Sequence, residues 1–136
     1  MSHARHSAAL AAPARGTWLD LRPAEAVPVL AGLRILDVRQ PDEFRGELGH
    51  VPGSELLPLD RLEQALDSLD PRTPLLIVCR SGKRAAAACE RLASAGFDAV
   101  YNLEGGMIAW NAEGRPTCDH PHDDVGGDCQ AEWSLS

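Results

Sequence analysis

The sequence predicts an α/β fold in which helices cover both faces of a central, mainly parallel sheet of five strands. Two observations support this prediction. Apolar runs typical of buried strands alternate with segments of helical periodicity between residues 17 and 116. Glycines and prolines separate these segments, as expected of short connections between strands and helices. Such an alternation places parallel strands between two layers of helices, so a three-layer fold is expected.

The first half of the chain contains three of the predicted strands. Residues 17–20 form a short edge strand, and Pro23 opens a short helix because proline suits the first helical position. Residues 33–39 are predicted to form a buried strand. Pro41 begins another short helix, whose first turn carries acidic residues that the helix dipole favours. Residues 54–59 form the third strand, which a proline near its end limits.

The second half of the chain contains the remaining two strands. Residues 62–69 place apolar side chains at helical spacing, with Asp60 as a suitable N-cap. Residues 75–78 are four consecutive branched apolar residues, which predict a fully buried strand. Residues 97–103 form the fifth strand. A pair of glycines then turns the chain into a last short helix around Trp110.

A longer helix is predicted between the last two strands. Its apolar stripe consists mostly of small residues, which allow a helix to approach a sheet closely. Gly96 follows the stripe and is suited to the left-handed C′ position that ends many helices. The stripe comprises Ala85, Ala88, Cys89, Leu92 and Ala93.

Composition excludes several classes of protein. The chain has 136 residues, of which 44% are hydrophobic and 24% charged, so one soluble domain with a single core is expected. The net charge of −7 argues against a general nucleic-acid binder. Residues 112–136 carry six acidic residues against one arginine, so the remaining 111 residues carry only −2. A local cationic site is therefore compatible with the acidic total.

Three segments are expected along the chain. Residues 1–16 lack the apolar core of a signal peptide and are predicted to be a disordered leader. Residues 17–116 form the domain, and residues 117–136 form an acidic, flexible tail. No stretch approaches the roughly 20 apolar residues that cross a bilayer. Four cysteines do not make a disulfide scaffold at this length. Because the leader does not resemble a signal peptide, a cytoplasmic protein is expected.

The strand at residues 75–78 runs directly into Cys79, which is the strongest candidate for a functional residue. Ligands of open α/β sheets bind beyond the carboxyl ends of the strands, and this thiol lies there. A tight loop, Arg80–Arg84, follows with three cations and a glycine. Its N–H groups and the start of the next helix favour a bound anion and a reactive thiolate. The alternative is a cysteine that is simply buried at the end of a strand.

Four motifs in this order make the chain resemble the rhodanese domain. They cover residues 17–116, which is most of the chain, and their combination is highly specific although each alone is weak. The motifs are Asp37-Val38-Arg39 with Glu43-Phe44, then Gly49-His50-Val51-Pro52-Gly53-Ser54, then Cys79-Arg80-Ser81-Gly82-Lys83-Arg84-Ala85, and finally Leu103-Glu104-Gly105-Gly106-Met107 with Trp110.

The resemblance implies a single-domain sulfurtransferase that needs no cofactor and no metal. Cys79 would take a sulfane sulfur from a small anionic donor such as thiosulfate, or from a persulfide, and hold it as its own persulfide. The acceptor would be cyanide or a thiol such as glutathione or a thioredoxin-like protein. No nucleic acid or membrane partner is implied. The substrate-binding residues implied are Arg80, Ser81, Gly82, Lys83 and Arg84.

Two other functions stay open. Related phosphatases and arsenate reductases resemble the pattern cysteine, five residues, arginine, whereas only four residues separate Cys79 from Arg84. The shorter loop suits one sulfur atom better than a tetrahedral phosphate, and no aspartate stands nearby as an obvious general acid. The second alternative is a module that carries sulfur to a protein partner, or docks to it, without turnover.

Other residues of the domain are interpreted as structural. Asp37 and Arg39 end a strand near the same crevice and are expected to support the loop, Arg39 by pairing with Glu43. His50 could serve as a base, but a thiolate that is already formed needs none. Cys89 lies on the apolar face of its helix and is expected to be inert packing.

The predicted tail adds a separate set of cysteines and histidines. Their types suit zinc, but their spacing matches no familiar zinc finger, and the glycines between them favour a flexible segment. A further alternative is that one of these cysteines takes sulfur from Cys79 or forms a disulfide with it. The set comprises Cys118, His120, His122 and Cys129.

Overall fold

Five parallel strands form one sheet in the computed structural model, which describes residues 11–118. Their order across the sheet is β1-β5-β4-β2-β3, so β4 occupies the centre. All five predicted strands are present and the predicted fold class is confirmed. The strands are β1 (Leu19–Leu21), β2 (Arg34–Asp37), β3 (Glu55–Leu56), β4 (Leu75–Val78) and β5 (Val100–Leu103).

Helices pack on both faces of the sheet, as the alternation of elements predicts. α3 and α4 contribute side chains to the core on one face, and α1 and α5 to the core on the other. Two short segments of 3₁₀-helix flank α3, and a third extends α1. The helices are α1 (Pro23–Ala26), α2 (Pro41–Phe44), α3 (Leu62–Ala65), α4 (Lys83–Ser94) and α5 (Gly106–Ala112).

The central strand β4 contributes to both cores because successive side chains of a strand point to opposite faces. Leu75 and Ile77 pack with the α4 side, whereas Leu76 and Val78 pack with the α5 side. All four residues are at most 1% exposed. The five residues of the predicted α4 stripe are also buried, and Gly96 adopts the predicted left-handed conformation, with φ of 97°. The continuous apolar run before Cys79 therefore forms the middle of the core.

The segment before β4 differs from the prediction of one regular helix at residues 62–69. The chain forms a 3₁₀ turn at Leu59–Arg61, the four-residue helix α3, and a second 3₁₀ turn at Leu66–Ser68. The prediction that Asp60 caps this helix is wrong, because Asp60 lies inside the first 3₁₀ turn. Of the apolar residues in this segment, only Leu62 and Leu69 are buried. Packing against the core therefore does little to stabilise a regular helix here.

Both ends of the described region pack more closely than a disordered leader and a flexible tail imply. The carbonyl oxygen of Ala11 accepts a hydrogen bond from the Tyr101 hydroxyl at 2.8 Å, and Pro13 is buried. At the other end, Cys118 forms an antiparallel bridge with His50 and is buried. The described part of both predicted segments therefore contacts the domain. The rest of each prediction, for residues 1–10 and 119–136, lies outside the described residues.

Candidate active site

The Cys79 thiol lies at the carboxyl end of β4 and accepts two backbone hydrogen bonds. Its Sγ is 3.0 Å from the amide nitrogen of Gly82 and 3.3 Å from that of Ala85. The Ala85 amide belongs to the first turn of α4, whose N–H groups have no partner within the helix. Cys79 is only 1% exposed, so these bonds act with little competition from water. The site is built to stabilise negative charge on this sulfur or on an atom attached to it.

Gly82 gives the loop the shape that aims these amides at the sulfur. It is the N-cap residue of α4 and adopts a left-handed conformation, with φ of 101°. A side chain here would also approach the amide nitrogen of Gly105 to 3.4 Å. Glycine at this position therefore satisfies the turn and the close contact with the neighbouring loop.

The first turn of α5 holds the opposite side of the loop. Met107 donates its N–H to the carbonyl oxygen of Cys79 at 2.9 Å, and Ile108 donates to that of Arg80 at 3.0 Å. A β-carbon on Gly106 would lie 2.4 Å from the Cys79 oxygen and 2.5 Å from the Arg80 oxygen. The carbonyls of Cys79 and Arg80 thus point to α5, while the amides of Gly82 and Ala85 point to the sulfur. The sequence predicts only a turn at Gly105 and Gly106, and it does not show that the start of α5 supports the Cys79 loop.

An ion pair fixes the last cation of the loop. The Arg84 guanidinium donates through Nη1 and Nη2 to the two carboxylate oxygens of Glu43, both at 2.8 Å. This bidentate pair joins the first turn of α4 to α2. Arg80, Ser81 and Lys83 are exposed, and neither of the two cations forms an ion pair within residues 11–118.

The five predicted substrate-binding residues therefore have different surroundings. Gly82 contacts the thiol through its amide, and Arg84 is held by Glu43, while the other three face solvent. Ala85, whose amide also reaches Sγ, lies one residue beyond the predicted range. The sequence does contain a signal for Ala85. The first N–H groups of a helix have no partner within the helix, so those that closely follow a cysteine can donate to its sulfur.

Arg39 pairs with Asp37, which corrects the predicted pair with Glu43. Nε and Nη2 of Arg39 donate to the two oxygens of Asp37 at 2.9 and 2.7 Å. The residues are 1% and 0% exposed, and such a buried charge pair is costly unless its hydrogen bonds are well formed. Nη2 also donates to the carbonyl oxygen of Gly49 at 2.8 Å. The pair thus ties the end of β2 to the loop before β3, whereas Glu43 belongs to Arg84.

His50 packs into the structure beside this pair. Its ring stacks on Phe44 with centroids 3.6 Å apart, and its Nδ1 lies 2.8 Å from the Phe44 carbonyl oxygen. The backbones of His50 and Cys118 exchange hydrogen bonds of 2.7 and 2.9 Å. Cys118 is disulfide-bonded, whereas Cys79 and Cys89 are free. In this structure Cys79 and Cys118 are therefore not bonded to each other, and exchange between them during oxidation stays a prediction.

The other candidates contribute less to the site. Cys89 is fully buried in the apolar core, as predicted, and this burial raises the pKa of its thiol, so it stays protonated.

Within residues 11–118 no group of three or more histidine, cysteine or acidic side chains is placed to hold a metal ion. No helix in the same range is long and apolar enough to cross a membrane. His120, His122 and Cys129 lie outside the described residues.

The Glu43–Arg84 pair predicts a specific dependence of stability on pH. Hydrogen bonds from Arg84 lower the pKa of Glu43 to about 2. Because the folded-state pKa lies below the unfolded value, the stabilisation is present above about pH 4.5 and is lost as the pH falls towards 2. Both side chains are partly exposed, so we expect Glu43→Gln to lower the free energy of unfolding at pH 7 by only about 1 kcal/mol.

Urea denaturation of the parent and of Glu43→Gln at several pH values between 7 and 2 tests this expectation. The difference in unfolding free energy between the parent and Glu43→Gln should shrink towards zero as the pH approaches 2. Glu90→Gln, a matched change at an exposed position of α4, should show no such trend. A difference for Glu43→Gln that stayed constant over the whole range would contradict the assigned role of the ion pair.

Comparison with known proteins agrees with this geometry. The family model described as "Rhodanese-like domain" matches residues 10–113. Protein slr1261 of Synechocystis sp., which is uncharacterised, is 40% identical over 84 residues, or 61% of this chain and 45% of that protein. The thiosulfate sulfurtransferase GlpE of Tolumonas auensis is 30% identical over 94 residues, or 69% of this chain and 87% of that protein.

A solved structure gives the same result. The rhodanese-related protein of Thermoplasma volcanium superimposes with a TM-score of 0.70 at 27% sequence identity, covering 76% of this chain and all of that one. The region that the family model matches contains every element from β1 to α5, and therefore also the Cys79 loop. The chain therefore belongs to the family of rhodanese-like domains.

Proposed function

We propose that the protein is a sulfurtransferase in which Cys79 carries a sulfane sulfur as a persulfide. The observation that carries this proposal is the pair of amides, from Gly82 and Ala85, directed at the Cys79 Sγ. A persulfide here keeps its inner sulfur beside these donors, and each transfer step returns negative charge to that sulfur. The likeness to a thiosulfate sulfurtransferase supports the same chemistry.

The reaction needs only two displacements at sulfur. The Cys79 thiolate attacks the outer sulfur of thiosulfate, the S–S bond of the donor breaks, and sulfite leaves with the electron pair. Cyanide or an acceptor thiolate then attacks the outer sulfur of the persulfide, and the electron pair returns to Sγ. Neither step demands a proton transfer, which fits a site where His50, the one histidine among residues 11–118, is buried against Phe44.

The exposed cations of the loop suit an anionic donor. Arg80 and Lys83 stand on either side of Gly82 and face solvent, where they attract a dianion such as thiosulfate. Glu43 already occupies both terminal nitrogens of Arg84. The short loop and the first turn of α4 direct one amide each, from Gly82 and Ala85, at a single sulfur atom. This small site supports sulfur transfer over transfer of a tetrahedral phosphate.

Mass spectrometry of the parent protein tests the proposal. After incubation with thiosulfate, the peptide that contains Cys79 should gain the mass of one sulfur atom, and the peptide that contains Cys89 should not. Addition of cyanide should remove this sulfur and form an equal amount of thiocyanate. An aryl phosphate, assayed in parallel, should be hydrolysed far more slowly than thiocyanate forms.

Three results would separate the alternatives. A persulfide that forms from a protein or polysulfide donor, without turnover of thiosulfate, would favour the carrier function. Faster hydrolysis of the aryl phosphate than transfer of sulfur would favour a phosphatase. Failure of every sulfur donor to modify Cys79 would leave the proposed function without support.

A further inference from the structure

The Glu43 carboxylate takes no part in the proposed sulfur transfer, yet it contacts the loop that receives the donor. Its two oxygens accept hydrogen bonds from Nη1 and Nη2 of Arg84, both at 2.8 Å. Glu43 also lines the same surface cleft as Arg80, the first residue of the loop. The side chain of Arg84 is 39% exposed and that of Glu43 is 28% exposed. Both charges therefore act on an ion that approaches the loop from solvent.

The three cations of the loop differ in how far their charge is neutralised. Arg80 and Lys83 are exposed and form no ion pair within residues 11–118. Arg84 is neutralised by Glu43, because a pair of opposite unit charges has no net charge. An anionic donor is therefore attracted by two positive charges of the loop rather than by three.

Arg84 is close enough to Cys79 for its charge to act on the thiol. It directly precedes Ala85, whose amide nitrogen lies 3.3 Å from the Cys79 Sγ. The pKa of the Arg84 guanidinium is raised above its ordinary value, mainly by its hydrogen bonds to Glu43 and further by negative charge at Cys79. The third cation of the loop would thus add to the attraction of an anionic donor if Glu43 did not neutralise it.

We propose that Glu43 is a specificity-determining residue, which lowers the preference of the site for sulfur donors with two negative charges. The inference rests on the proposed sulfur transfer and adds a control of donor charge to it. A Coulomb energy is proportional to each of its two charges, so the charge that Glu43 cancels affects a dianion twice as strongly as a monoanion. Glu43 therefore narrows the advantage of a dianion such as thiosulfate over a donor with a single charge.

Two alkylating reagents of nearly the same shape test the inference without any transfer of sulfur. Iodoacetate carries one negative charge and iodoacetamide carries none. The Cys79 thiolate attacks the carbon of either reagent, an S–C bond forms, and iodide leaves with the electron pair. The ratio of the two rate constants measures the charge around Cys79, because a change in the basicity of the thiolate affects both reagents equally. Mass spectrometry of the peptide that contains Cys79 keeps the other cysteines out of the measurement.

Four variants change the charge of the Glu43–Arg84 pair in steps. In Glu43→Gln we expect the ratio of iodoacetate to iodoacetamide rate constants to rise about twofold to threefold, as expected for one partly exposed charge. In Arg84→Gln the ratio should fall by a similar factor. The double variant Glu43→Gln/Arg84→Gln is neutral, like the native pair, and its ratio should return to the parent value. Glu43→Asp keeps the charge and should also keep the parent ratio.

Glu63→Gln is the matched control for the loss of a carboxylate. Glu63 forms a similar bidentate pair with Arg91, about two turns further along α4 than Arg84. Its ratio should equal that of the parent, so an effect of total charge is excluded. The rise in Glu43→Gln should disappear at about 1 M salt, where the Debye length is only about 3 Å. An unchanged ratio in Glu43→Gln, or an equal rise in Glu63→Gln, would overturn the inference.

A pair of sulfur donors extends the test to the reaction itself. Thiosulfate has two negative charges and methanethiosulfonate has one. Cys79 attacks the terminal sulfur of either donor, the S–S bond breaks, and sulfite or methanesulfinate leaves with the electron pair. In Glu43→Gln we expect kcat/KM to rise about twofold to threefold for methanethiosulfonate and about fourfold to ninefold for thiosulfate, because doubling the charge squares the factor. Equal changes for the two donors would contradict the assigned role of Glu43.

The two proposals fail in different ways. If no sulfur donor modified Cys79 but the alkylation ratio still rose in Glu43→Gln, the proposed function would fail and the control of charge by Glu43 would stand. If sulfur transfer proceeded while the alkylation ratio stayed the same in every variant, the proposed function would stand and the inference about Glu43 would be overturned.

Discussion

Replacement of Cys79 by serine is expected to reduce sulfur transfer from thiosulfate to cyanide by at least about 10³-fold. A serine oxygen cannot hold a sulfane sulfur, so the intermediate is lost even if the hydroxyl accepts the same amide hydrogen bonds. The fold should tolerate the change, because the hydroxyl replaces a group that already receives two N–H donors. Thiocyanate formation, measured beside circular dichroism and thermal unfolding, checks both halves of this expectation.

Cys89→Ala is the matched control for the loss of a thiol. Cys89 is the other free cysteine among the described residues and lies in an alanine-rich stripe, so truncation should be accepted with a modest loss of stability. Its rate of sulfur transfer should equal that of the parent. Equal rates for Cys79→Ser and the parent would show that sulfur passes through some other group.

Gly106→Ala should lower both stability and activity, although Gly106 never touches the sulfur. With φ of 58°, alanine costs about 1–2 kcal/mol in this left-handed conformation. Its β-carbon would also lie 2.4 Å from the Cys79 oxygen, and relief of this overlap costs about 1–3 kcal/mol more. The loop must move away from α5, which turns its amides from the sulfur. Sulfur transfer should fall roughly 10²-fold, as expected for a displacement of about 1 Å at a reacting group.

Gly96→Ala separates strain from overlap. Gly96 has a similar left-handed conformation, with φ of 97°, but a β-carbon there meets no atom within 4 Å. This variant should lose only the strain energy, about 1–2 kcal/mol, and keep full activity. Urea denaturation and thiocyanate formation measure both quantities. Equal losses of activity in the two variants would show that contact with α5 does not position the loop.

The features that follow from local pattern could be predicted from the sequence. β4 is a run of four apolar residues, and the stripe of α4 repeats with the period of a helix, so both follow directly from the chain. Cys79 stands where these two elements meet, and the two amides that contact its Sγ, those of Gly82 and Ala85, follow within six residues. The periodicity of β4 and α4 therefore predicts where the thiol lies and that the loop after it contacts the sulfur.

The partners that long-range packing selects could not be predicted. Glu43 is four residues from Arg39 and 41 residues from Arg84, yet it pairs with Arg84. Arg39 instead donates through Nε and Nη2 to the buried Asp37, and this preference depends on the fold around them. The contact of Cys118 with His50 has the same origin, since composition alone gives no reason for an ordered segment there.

The position of β1 at the edge of the sheet, and of α5 beside the Cys79 loop, has a consequence for biosynthesis. The hydrogen bond between Asn102 and Asp20 joins β5 to β1 across 82 residues of chain. Contacts so distant along the chain close slowly, and folding dominated by them takes milliseconds to seconds. The carbonyls of Cys79 and Arg80 gain their donors only after α5 has been synthesised. A nascent chain that ends before residue 106 therefore lacks both donors, so the contact that holds the Cys79 loop against α5 forms only after the last helix of the domain has been made.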